Sequence, residues 1–298
     1  MGICYWEARQ LWEGRQRGVS FDSTLVVGRQ TLSLHPEEVR HFRLRRSEIA
    51  PRNDDALATY VFGDFADEFL KGYLGVRVLN ILDASAYEGA DVVHDLNVPI
   101  PATLCGRYDA VVESGSLEHI FNVPIALANL MKLVRTGGTL FIGTPANNLC
   151  GHGFYQFSPE LFYRVLCEDN GFEIRRMVMY EASSPSIELS RNRAAYTVVD
   201  PVEARERVLL MSGGPVSLLV EARKVRDEKP FRKFPVQSDY ATLWKQESRA
   251  LATATARPLR RIIRDSLPRS LLLSWNRARE RRRASFANSR HYRRVVGS

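Results

Sequence analysis

Apolar residues fall into short runs separated by helix-length stretches, the pattern of a layered α/β domain with a mostly parallel sheet. The β-like runs are Ser23–Val27, closed by Gly28; Val76–Leu82, ending at Asp83; Ala90–His94, ending at Asp95; and Tyr108–Val112, ending at Glu113, Ser114 and Gly115. Thr139–Gly143 follows and ends at Thr144-Pro145; Phe172–Tyr180 and Val216–Ala222 complete the set. Between them, helices are predicted over His35–Arg45 with Pro36 in the first turn, over Phe65–Tyr73 with Gly75 as the stop, and over Val123–Val134, stopped by Gly137-Gly138. A further helix, Pro159–Cys167, starts behind Ser158 as its N-cap. Arg46–Thr59 reads as a polar loop, and no internal repeat is present. The divisions are an N-terminal segment over 1–20, the sheet domain over 21–225, a loop over 226–250 and a tail over 251–298. Phe231, Phe234, Tyr240 and Trp244 give the loop something to bury.

Composition narrows the class. The 298 residues are 45% apolar and 26% charged, as in an ordinary globular protein. No apolar run is long enough for a transmembrane segment, and the start MGICYWEARQLWEGRQRG lacks a secretory h-region. Cys4, Cys105, Cys150 and Cys167 form no CxxC pair. Reduced thiols and a cytoplasmic location are expected, with no zinc centre built from them. The net charge of +8 is uneven: Leu251–Ser298 holds thirteen Arg against Asp265 and Glu280, which leaves residues 1–250 mildly acidic. The Arg-rich tail is expected to be a solvated extension, helical in part. An anionic partner, RNA or a membrane surface, is available to that tail alone.

In an open α/β sheet the ligand lies outside the carboxyl ends of the strands. Each acid closing a strand here is a helix cap or solvated turn on the one reading, and a ligand contact on the other. An acid at the end of a second strand can accept both hydroxyls of a ribose. The turn Val-Val-Gly28-Arg29-Gln30-Thr31 has one glycine where a dinucleotide needs GxGxxG, and no GxxxxGK[ST] occurs. S-adenosylmethionine has the ribose and no phosphate.

From Tyr108 to Phe172 the string YDAVVESGSLEHIFNVPIALANLMKLVRTGGTLFIGTP, continued by GHGFYQFSPELFYRVLCEDNGFE, resembles class I S-adenosylmethionine-dependent methyltransferases of the type-11 or UbiE-like group. The resemblance implies a Rossmann-like sheet of about seven mostly parallel strands, the last antiparallel, with helices on both faces, plus the basic C-terminal extension. It implies Asp83 as the ribose acid, Asp95 and Leu96 beside the adenine, and Glu113, Ser114 and Gly115 facing the methionine part. Gly28 is all that remains of the glycine-rich first motif. In another register VRVLNILDASAYEG becomes that motif and Asp95 the ribose acid, but too few residues then follow Asp83 for a crossover helix.

Methyl transfer is an in-line displacement governed by positioning, and an oxygen acceptor also gains from a base. His119 and His152 flank the implied methyl site and are the candidate bases; each reads equally as a structural histidine. Tyr155 and Phe157 are an acceptor wall or sheet packing, and Asn147-Asn148 a polar contact or a turn. The acceptor implied is a small molecule or glycan. A methyltransferase-like binding protein without catalysis and an RNA methyltransferase recruited by its tail remain as alternatives.

Overall fold

A computed structural model describes residues 2–47, 57–182, 193–241 and 269–295. The chain opens with β1 (Gly2–Cys4) and α1 (Tyr5–Gln16), passes through β2 (Ser23–Val27), β3 (Thr31–Ser33), α2 (Pro36–Ser47) and α3 (Asp67–Leu74), and reaches β4 (Val78–Asp83) and β5 (Val92–Val93). Then come β6 (Tyr108–Ser114), α4 (Val123–Leu133), β7 (Val134–Asn147), α5 (Pro159–Val165) and β8 (Phe172–Glu181). β9 (Ala195–Val198), α6 (Pro201–Ala204), β10 (Val216–Lys224), α7 (Arg269–Arg283) and β11 (Tyr292–Arg294) close the described chain.

One sheet carries the order β11-β9-β8-β10-β7-β6-β2-β4-β5. β5, β4, β2, β6 and β7 are parallel, whereas β10 runs antiparallel between β7 and β8. The sheet has nine strands, not about seven, because β9 pairs with β8 and β11 pairs with β9 at one edge. β2 lies between β4 and β6, so the strand order reverses there, and it is outside the carboxyl ends at such a point that an open α/β sheet takes a ligand. β4 reaches β5 through 84–91 with no helix; Asp91 substitutes for one, its amide donating to the Ile81 carbonyl (2.9 Å) and its Oδ2 accepting from the Ile81 amide (2.8 Å).

Both faces are covered. On one, α4 and α5 bury Ala126, Leu127, Leu130, Leu133, Phe162 and Val165 against β6, β7 and β10; each large apolar side chain so buried stabilises by about 1.5–3 kcal/mol. On the other, α1, α2 and α3 bury Trp6, Leu11, Trp12, Phe42, Phe69 and Leu70 against Val26, Ile81, Val112 and Phe141. The N-terminal segment is therefore part of the core. Glu7 fixes the start of α1 by accepting from the Cys4 amide (2.7 Å), a capping-box bond.

Two local expectations are corrected. Gly137-Gly138 does not end α4 in a turn: the strand has already begun at Val134 and runs through both glycines. A Cβ at Gly138 would lie 2.7 Å from the Asp109 carbonyl, so the missing side chain lets β7 close onto β6. Nor is the end of the Arg-rich tail a solvated extension. Tyr292 and His291 are buried, Phe286 stacks on Tyr196 at 4.3 Å, and Tyr292 Oη donates to the Leu209 carbonyl (3.1 Å). Within the 226–250 loop, Phe231 packs on the core while Phe234 and Tyr240 are exposed; Trp244 lies outside the described residues.

Candidate functional site

The candidate rim is formed by the ends of β2, β4 and β6. Gly28 follows β2 with φ +66°, and its amide donates to the Leu82 carbonyl of β4 (2.7 Å). A Cβ there would stand 3.3 Å from Ser116 Oγ, 3.5 Å from Gln30 Nε2 and 3.8 Å from Asp83 Oδ2. Gly28 and Asp83 are thus neighbours, as the reading that joins them to one ligand requires. Asp83 is half-exposed, and its Oδ1 accepts from the Ser85 amide (3.1 Å). The turn after β2 is partly filled by its own side chains. The Val27 carbonyl accepts from Gln30 Nε2 (2.7 Å) and Ser116 Oγ (3.3 Å), and Gln30 is buried. Arg29 leaves the rim, reaching Asp67 (2.8 Å), the Glu88 carbonyl (3.2 Å) and the face of Phe65.

Other expected contacts are placed differently from one another. Asp95 is exposed and accepts from the backbone and side-chain N–H groups of Asn97 (2.8 Å each), which hold its carboxyl below the usual range. Leu96 is buried in the core. Glu113 is buried, and Oε1 accepts from the amides of Ser116 (2.5 Å) and Leu117 (2.8 Å), which forms the turn after β6; Oε2 accepts no hydrogen bond among the described residues. Ser114 is buried beside Glu7 and a small cavity under α1. Gly115 adopts φ +86° and donates to the Gly143 carbonyl (2.8 Å).

His119 and His152, which the sequence offers as separate candidates, come together with ring centroids 5.5 Å apart. Glu118, the residue before His119, joins them. Glu118 is fully buried in the short 3-10 turn Leu117–His119; its Oε2 accepts from Thr144 Oγ1 (3.3 Å), and its Oε1 stands 3.6 Å from His152 Nε2. Burial holds Glu113 and Glu118 well above the ordinary carboxylate range, and their mutual repulsion raises Glu113 further. Partial burial and the neighbouring His152 push His119 below its usual value. The Glu118 carbonyl accepts from the amides of Phe154 (2.8 Å) and Tyr155 (3.3 Å), fastening the 151–156 loop to this turn. The one signal in the sequence is the pair of glycines flanking His152. A Cβ at Gly153 would sit 2.8 Å from that same carbonyl, so only glycine lets the loop lie flat on Glu118.

The remaining candidates are structural in their contacts. Phe157 is buried, and Tyr155 stacks on it while donating to the Phe121 carbonyl (2.8 Å). Asn147 and Asn148 donate to Ser212, with further bonds to Leu210 and Gly214 carbonyls, and tie the end of β7 to the loop before β10.

No family model matches the chain, and no curated protein matches it. Solved structures of similar outline include the N-methyltransferase NodS from Bradyrhizobium japonicum with S-adenosyl-L-homocysteine, at 13% identity and TM-score 0.40, covering 74% of this chain and 87% of that one. A Burkholderia thailandensis 1,6-didemethyltoxoflavin-N1-methyltransferase is 12% identical at TM-score 0.38, with 74% and 78% covered. A 16S rRNA (adenine(1408)-N(1))-methyltransferase from Catenulisporales acidiphilia is 12% identical at TM-score 0.31, with 76% and 94% covered. Likeness this remote carries nothing about the ligand or acceptor of this chain.

Proposed function

We propose that this chain is an S-adenosylmethionine-dependent methyltransferase acting on a small-molecule or glycan-type acceptor. The observation that carries the reading is the convergence of the Asp83 carboxylate and Gly28 at the switch point between β2 and β6, where an open α/β sheet takes its ligand. The antiparallel β10 beside parallel β7 agrees with the sheet that the sequence resemblance implies. Here Asp83 accepts the two ribose hydroxyls, Gly28 admits the ligand close to the backbone, and the side of the rim formed by β6 receives the methionine part. Asp95, Leu96, Glu113, Ser114 and Gly115 belong to the same proposal through the resemblance alone. His152 or His119 takes the proton of an oxygen acceptor, and the exposed Phe121 and Phe154, edge to face at 6.3 Å, offer it an apolar wall.

S-adenosylmethionine would bring the electrophilic methyl on its sulfonium. The chain's part is to bind, to orient and to hold a proton. Titration calorimetry with S-adenosylhomocysteine tests the reading: binding at micromolar concentration is expected, weakened at least about tenfold in Asp83→Ala through the lost charge-assisted hydrogen bonds. Absence of binding, or equal binding by the variant, rejects it. Gln30 filling the turn after β2 favours the second reading, a binding protein without catalysis, and that reading predicts no heat at all.

The Arg-rich tail is the proposed contact for an anionic partner. Arg277, Arg279, Arg281 and Arg282 are exposed along α7. No helix among the described residues is long and apolar enough to cross a membrane. A cytoplasmic location is proposed from the cysteines, all four of which are free.

A further inference from the structure

We propose that Glu118, His119 and His152 form a binding site for one divalent transition-metal ion of the zinc type, at the turn after β6. Their ligand atoms lie within 4.8 Å of one another, and Glu118 Oε1 is 3.6 Å from His152 Nε2. Two ligands at about 2.0–2.1 Å in tetrahedral array stand roughly 3.3 Å apart, so this pair is nearly in place. The exposed His119 ring closes the remainder by turning. Two imidazoles and one carboxylate are a donor set that suits zinc and its neighbours, and three protein ligands leave a position open toward solvent or substrate.

The carboxylate supplies the independent observation. Glu118 is fully buried, and its Oε1 accepts no hydrogen bond among the described residues. A buried carboxylate oxygen without a donor is costly, and a cation against it removes the cost. The surroundings are those of a constructed site. Thr144 holds the other oxygen, so Oε1 is aimed at the histidines, the outer-shell orientation that metal ligands commonly receive. Gly153 and the two amides bonded to the Glu118 carbonyl hold the loop that delivers His152. An isolated Glu118–His152 ion pair would need neither His119 nor an unfilled coordination position.

The site stands on these side chains and not on the cofactor, so the S-adenosylhomocysteine titration and the metal titration fail separately. If both succeed, the ion takes over from the two histidines the task of activating the acceptor, whose oxygen is the natural fourth ligand.

The test uses the full chain, stripped with a chelator and then titrated with Co²⁺ alone while its visible ligand-field bands are followed, with Zn²⁺ added afterwards as competitor. One Co²⁺ per chain is expected, displaced by Zn²⁺. His119→Ala and His152→Ala are each expected to weaken uptake at least tenfold, and the double variant to abolish it. Glu118→Gln should do the same and, because it is buried, is scored only if its circular dichroism matches the parent. Both histidines are exposed, so their variants keep the test decisive if that one misfolds. Cys150→Ser, two residues before His152 and exposed, should bind as the parent does. Failure of the parent to take up one equivalent overturns the proposal, as does uptake unchanged in the double histidine variant or lost in Cys150→Ser alone.

Discussion

Glu113 holds the turn after β6 through a single oxygen that accepts two backbone amides. Glu113→Ala would leave both donors unanswered, the Leu117 amide buried and the Ser116 amide partly so, which costs about 1–3 kcal/mol for the buried one and less for the other. Glu113→Gln keeps the acceptor and removes a carboxyl that burial already disfavours as an anion. Urea unfolding should therefore show a loss of about 2 kcal/mol or more for the alanine variant and under about 1 kcal/mol for the glutamine variant. Gly28 illustrates a different constraint, since its φ of +66° suits glycine and a methyl there would crowd Ser116 Oγ at 3.3 Å. Gly28→Ala is expected to cost about 1–2 kcal/mol, readable as a lower melting temperature. Why a residue such as Glu118 escapes sequence reading is also visible here. Its role depends on a loop beyond β7 folding back onto the turn after β6, and no spacing within LEH announces that return.

At the scale of elements, α1 is fastened to β8 by a carboxylate. Glu13 Oε1 accepts from Arg9 Nε (2.7 Å), and Oε2 pairs with Arg176. Burial works to raise Glu13, and the hydrogen bonds and charges of the two arginines outweigh it, so the carboxyl sits below its ordinary value of 4.5. A folded-state value below the unfolded one contributes stability above pH 4.5, and that contribution is lost as the pH falls through the lowered value. Glu13→Gln should lower stability by about 2 kcal/mol at pH 7 and flatten the acid limb of the stability curve below pH 4.5, measured by denaturant unfolding across pH. The same helix shows where pattern reading stops. β2, β4, β6, α4 and α5 are legible because their apolar residues sit at clean strand or helix spacing. In α1 the polar Arg9 and Gln10 are buried beside Trp6 and Trp12, so no solvent-facing stripe separates from a core-facing one. β11 is hidden for a related reason: HYRRVV reads as basic surface, and only its pairing with β9 makes Tyr292 a core residue.

For the whole molecule, the charged C-terminal region and the mildly acidic body meet through apolar packing reinforced by an arginine–carboxylate pair and a histidine contact. His291 and Arg283 both reach Glu206, at 3.2 and 2.8 Å, while Tyr292 fills the core. Tyr292→Ala should cost about 3 kcal/mol from the lost aromatic volume, with a further loss from the bond to Leu209, seen as a shift in the urea midpoint.

β2 is the strand on which the sheet's two halves meet. It is flanked by residues 78–82 on one side and 110–113 on the other, and the Ser23 amide donates to Asp109 Oδ2 at 3.0 Å. Pairings that far apart in the chain form late and come undone together. The rim that Gly28, Asp83 and Ser116 share is accordingly a property of the completed fold and of no separable fragment. Any small molecule lodged there would protect the central amides from solvent exchange as one cooperative block, and would raise the melting point of the entire chain by mass action.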